Sequence, residues 1–211
     1  LKFSLAQARI FGFAAFVGLV SIQGLLPVHQ AVAGYFNALG DVHAATLEFT
    51  LAEQYYKMAL QQEFQNHKSN YSLAELAEAQ GDAASAAYYY KQATLKKPSP
   101  QAYASLAEVL VRERLFFEAM FSLQAGTRVF PQSGELLTNL GMLHAQTNVL
   151  DSAYFYFEKA EKLSRRPDVP ATNQLAMLVR TTDPKLLESV QNPSHTYSST
   201  SWWANYLALQ T

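Results

Sequence analysis

The residues able to do chemistry are few and scattered. Five histidines, His29, His43, His67, His144 and His195, stand in a chain that has no cysteine. That removes thiolate nucleophiles, disulfides and cysteine-held metals. His43 and His144 share one phase of a sequence repeat, but two intervening repeats separate them. They are read as half-buried packing histidines and not as ligands of one metal. No phosphate-cradling glycine loop, dinucleotide glycine pattern, HExxH or GxSxG is present. Glu75 and Glu78 lie three apart on one helix face, with Asp41 one repeat earlier, a grouping that would attract a cation or a hydrogen-bond donor. These residues predict no catalytic site, no metal, no cofactor and no small-molecule substrate. A formal net charge of −1 argues against nucleic acid, whose binders carry a basic excess.

The elements that carry these residues repeat. Leu39, Leu73, Leu106 and Leu140 follow one another at near-constant spacing, each before a tiny residue (Gly40, Ala74, Ala107, Gly141). Further along each repeat come an alanine (Ala52, Ala86, Ala119, Ala153), a large residue (Tyr56, Tyr90, Leu123, Phe157) and a second tiny one (Ala59, Ala93, Gly126, Ala160). Small residues let two antiparallel helices approach closely, and the leucine and the large side chain fill the space between them. One pair cannot bury its apolar face alone, so pairs must stack. The units fall at 33–66, 67–99, 100–133 and 134–167, and Gly81-Asp82 and Asn148 sit at turns inside them.

This pattern resembles the tetratricopeptide repeat (TPR): a large residue, then Leu-Gly, then Ala-x-x-x-aromatic, then Pro, at a period of about 34. The resemblance implies an all-α, right-handed α-α superhelix, a TPR solenoid. Departures are the opening residues Phe36, Asn70, Tyr103 and Leu137, where the family favours Trp, with Asn70 the poorest fit. Leu123 and Gly126 predict looser packing in the third unit. Residues 168–192 read as a degenerate fifth helix pair or cap, with Ala171 to Arg180 one helix and Asp183-Pro184 opening another. Residues 193–211 read as a polar linker and the start of a further helix, whose Trp202, Trp203 and Tyr206 call for a cover. An opening at Leu1 and a helical close are read as marks of a longer chain.

Residues 1–32 form an N-terminal hydrophobic segment. Ile10 to Val28 is free of charge, close to the 20 or so apolar residues that a bilayer core needs. The expectation is a membrane-spanning helix preceding the repeats, with Lys2 and Arg9 holding the N-terminus inside and the repeats on the extracytoplasmic side. A signal peptide ending near Ala31-Val32-Ala33 and a buried helix are the rival readings.

In the family the first helix of each unit lines a concave groove. The resemblance places Asn37, Asp41, Tyr71, Glu75, Glu78, Glu108, Arg112, Thr138, Met142 and Gln146 there, a mildly acidic face for a polar or basic segment of a protein or peptide partner. The lysine/asparagine clamp of the chaperone-binding members is not carried over, because its positions hold Asn37, Asp41, Ser72, Gln101 and Ser105. Tyr88, Phe121 and Phe155 share the outer, convex phase and predict a second contact stripe. The expected function is a membrane-anchored, non-catalytic interaction scaffold. Two alternatives stand beside it: the soluble appendage of a larger multi-pass membrane protein, enzymes included, and a secreted or periplasmic peptide-binding repeat protein.

Overall fold

The computed structural model of the chain describes residues 4–180, 197 and 199–210, and the side-chain surroundings of all of these except 19–26, 209 and 210. The helix expected from Asp183-Pro184 and most of the linker expected after it lie outside the described residues. Among the described residues every regular element is helical: α1 (Leu5–Ala45), α2 (Phe49–Gln62), α3 (His67–Ala79), α4 (Ala83–Ala93), α5 (Pro100–Arg112), α6 (Phe116–Val129), α7 (Gly134–Gln146), α8 (Leu150–Leu163), α9 (Asp168–Leu178) and α10 (Thr200–Gln210).

Two kinds of helix start alternate. Side chains cap α3, α5 and α7: Asn66, Ser99 and Ser133 accept the backbone N–H groups of Ser69, Ala102 and Leu136, and Pro100 opens α5 where its missing N–H costs nothing. The helices α2, α4, α6 and α8 follow a left-handed residue, and α4 also has a side-chain cap, Asp82 accepting the Ser85 N–H. Leu47, Gly81, Arg114 and Asn148 all have φ between 60° and 77°. The next N–H then reaches back to the carbonyl of His43, Ala77, Leu110 or His144 at 2.8–2.9 Å. This is the Schellman closure, which satisfies carbonyls at a helix end. Glycine takes that conformation freely and asparagine tolerates it; Leu47 and Arg114 strain against it.

The chain divides into two compact units, residues 1–97 and 98–211. In unit 1, α1 packs on α2, α2 on α3 and α3 on α4. In unit 2, α5 to α10 pack in sequence order where neighbours are described, and α7 also touches α5 and α9. Ala52, Ala86, Ala119 and Ala153 have no exposed surface, and Leu73, Leu106 and Leu140 are buried. Leu39 is only half-buried, because α1 has one principal neighbour, α2. Unit 2 is not loose at Gly126. A Cβ built there would stand 2.8 Å from the Tyr103 ring, so Tyr103 already fills the space. Trp202 is buried on Ala171 and Leu175, so α10 covers α9, while Trp203 stays 42% exposed.

The membrane-spanning helix is corrected. Among the described residues no helix is long and apolar enough to cross a membrane. The apolar run does not end at Val28 as a bounded segment; it continues as one helix to Ala45. The expected membrane anchor and the extracytoplasmic placement of the repeats fall with it.

Candidate functional site

The family's groove helices are α1, α3, α5 and α7, and the structure sorts their expected residues by what each side chain already holds. In unit 1, Asn37 is buried and tied down: its amide donates to Asn66 Oδ1 at 3.2 Å and its carbonyl accepts the Ser69 hydroxyl at 2.8 Å. Asp41 accepts the Tyr56 hydroxyl at 2.7 Å and meets Lys68 Nζ at 2.8 Å. One repeat on, the Tyr90 hydroxyl chooses an acid one turn later and donates to Glu78 at 2.5 Å. Tyr71 lies edge-on to Tyr90, ring centres 5.2 Å apart. Burial and the Asp41 bond raise the Tyr56 hydroxyl well above its ordinary range.

Glu75 is left as the exposed carboxylate of this face, because Tyr90 has taken Glu78. Loss of hydration to the surrounding protein raises its carboxyl, Lys68 opposes that, and Asp41 adds to it. The face expected to be acidic is therefore narrower than the sequence implied. Lys68 compensates Asp41, and Glu75 carries the charge a ligand would meet.

In unit 2, Glu108, Arg112, Met142 and Gln146 line one groove between α5 and α7, about 290 Å³ in volume and floored by Leu123. That is close to the lower end of the range for ligand pockets. Asn139 joins them and was not expected. Thr138 does not join. It is buried, its hydroxyl donates to the Gly134 carbonyl at 2.7 Å, and it faces another concavity with Glu135 and Arg165. Lys68 and Asn139 lie on groove helices and could have been read from the helical wheel. Asn173 and Arg180, which border a third concavity, sit in α9, where the repeat pattern fades.

Of the residues expected on the convex side, Tyr88 in unit 1 and Phe121 and Phe155 in unit 2 are each more than half exposed. Tyr88 leans on Tyr89 and Phe155 on Tyr156. Among the described residues no cluster of histidine and carboxylate side chains could hold a metal ion.

No protein-family model matches the chain, and no curated protein matches its sequence. Solved structures do match its fold. YrrB, described as a TPR protein with an unusual peptide-binding site, superposes with a TM-score of 0.61 at 16% identity, over 93% of this chain and 92% of that one. PilF of Pseudomonas aeruginosa superposes with a TM-score of 0.63 at 17% identity, over 86% and 77%. A MamA double mutant gives 0.62 at 17% identity, over 84% and 94%. The chain is similar to all three in architecture, and the resemblance to the tetratricopeptide repeat holds at the level of the fold.

Proposed function

We propose that this chain is a non-catalytic protein-interaction module that holds a peptide segment of a protein partner against its groove helices. The observation that carries the reading is the gathering of Glu108, Arg112, Met142 and Gln146 around one groove in unit 2. A fold similar to that of a peptide-binding TPR protein supports it. In unit 1 the exposed Glu75 favours a polar or basic stretch of the ligand. Phe121 and Phe155 in unit 2 form a second contact surface in the same proposal, and Tyr88 in unit 1 offers a contact of the same kind on its own unit, since aromatics left in water are favoured where a partner covers them.

Affinity capture with the full chain, followed by crosslinking and mass spectrometry, supplies the partner. Glu75→Lys should then weaken that partner roughly fivefold, with less effect at high salt, because exposed charges are screened within about 8–10 Å. Glu78→Lys is the poorer probe, because it also takes away the acceptor of the Tyr90 hydroxyl. If Glu75→Lys and a groove-filling Met142→Trp both leave affinity unchanged, the partner binds elsewhere.

A further inference from the structure

A third concavity of unit 2 opens where α7, α8 and α9 meet. Its volume is about 610 Å³, within the range of ordinary ligand pockets. Phe157 and Met177 are buried at its base, Leu150 forms a half-buried wall, and Met142 stands 42% exposed at its lip. Asn173 and Arg180 complete the rim. Among the described residues Arg180 is the one charged side chain of the lining, and it has no acidic partner among them.

Two residue choices keep this pocket open. Phe157 stands where unit 1 has Tyr56, so no hydroxyl reaches across to the groove helix. Met142 stands where unit 1 has Asp41, so no ion pair bridges the lip. The result is an apolar hole beside a guanidinium, and the ligand that complements it has an apolar anchor beside a negative charge. The pocket also shares Met142 and Gln146 with the groove between α5 and α7, so a ligand backbone can run from one into the other without ending at Arg180.

We propose that the α7–α9 pocket takes a bulky apolar side chain of a partner's peptide while Arg180 meets an acidic side chain close to it in sequence. The Asn173 amide, both donor and acceptor, can hold the peptide backbone between them. This rests on the peptide-holding reading and adds a side-chain preference to it. Where Glu75 in unit 1 offers itself to a donor, this pocket asks for an acid.

The test uses the full chain and fluorescein-labelled octapeptides of alanine and serine, acetylated and amidated at their ends. Each carries one leucine or phenylalanine, with a glutamate, glutamine or lysine one to four residues away. Anisotropy should show the best glutamate peptide binding about 5- to 10-fold tighter than its lysine twin, the size expected of a partly exposed ion pair replaced by a like-charge contact. Arg180→Glu, an exposed change that the fold tolerates, should invert the order. Ala176→Trp should fill the hole and remove binding. Indifference to the sign of the peptide charge, or an order unchanged by Arg180→Glu, overturns the proposal. So does binding confined to a control peptide whose C-terminal carboxylate is left free. Peptide binding lost in Glu75→Lys but not in Arg180→Glu would also overturn the pocket while leaving the broader reading standing. Failure of every peptide, alongside a captured partner indifferent to Glu75 and Met142, would remove both.

Discussion

Units 1 and 2 put different atoms at one place in the helix pair. Tyr56 and Tyr90 in unit 1, and Leu123 and Phe157 in unit 2, all fill the space behind the groove helix and are all buried. The two tyrosines end in hydroxyls that reach Asp41 and Glu78 and brace the hairpin. Leu123 and Phe157 end in carbon, and each floors a concavity. The backbone plan is the same; one oxygen and its acid decide whether the inner face carries a strut or a hole.

The largest effect that can break this comparison comes from the tiny residues in front of those rings. A Cβ built on Gly40 falls 2.5 Å from the Tyr56 ring, and one on Gly141 falls 2.7 Å from Phe157. Either alanine must push the ring aside, at roughly 1–3 kcal/mol for overpacking. Gly40→Ala should cost about 1 kcal/mol more than Gly141→Ala, because the displaced tyrosine also loses its bond to a carboxylate. Urea unfolding of both variants checks this, and equal losses would mean that the strut contributes nothing.

The next test isolates the oxygen. Tyr56→Phe and Tyr90→Phe should each lose about 1–2 kcal/mol in the same assay. Phe157→Tyr should gain nothing alone, since its hydroxyl would find Met142 where unit 1 has an acid. Paired with Met142→Asp it should show a coupling of about 1 kcal/mol, and the double variant should lose peptide affinity as its pocket closes. Additivity of the two changes would refute the strut as the cause of the difference.

The smallest effect is in pH. His43 and His144 both stack on a tyrosine, at 5.2 and 5.3 Å. His43 has Glu48 at 2.5 Å; His144 has Val149 at that position, and its Nδ1 is buried without a partner. Burial lowers the pKa of His144. As pH falls through about 6.5, the unfolded chain takes up a proton that the folded chain resists, so stability is lost on acidification. His43, first among the causes, lowers the carboxyl of Glu48 below its ordinary value, so that contribution persists until the pH falls below about 4.5. Hydrogen exchange between pH 7.5 and 5.5 should therefore show α7 and α8 loosening before α1 and α2. Val149→Glu should reduce the difference, and no difference between the units would sink this account.

The leucine and alanine spacing made the helix pairs legible because burial leaves few choices at a close helix contact. Asn70, the poorest fit on size and polarity, is buried all the same: its amide donates to the Asn66 carbonyl at 2.9 Å, a local bond that no periodicity reveals. Gly81 and Asn148 announced their turns, but Leu47 and Arg114 adopt the same left-handed backbone without a residue that prefers it. The groove was legible as a set of positions and not as a surface. Tyr56 takes Asp41 whereas Tyr90 takes Glu78, a choice of partner one helical turn apart that spacing cannot decide. The apolar run misled because charge alone does not bound a segment. The run was bounded at Val28, yet one helix passes through Pro27 and on to Ala45.

That continuity has a mechanical consequence. A single helix of 41 residues is a rod about 60 Å long at 1.5 Å per residue, and its last third is the first groove helix, whose His29 end is pinned to Gln62 at 2.9 Å. A tilt of about 5° swings one end of such a rod by about 5 Å relative to the other. Whatever grips the first twenty residues thus steers the far end as a lever, and Asp41 moves with it relative to the hydroxyl that braces it.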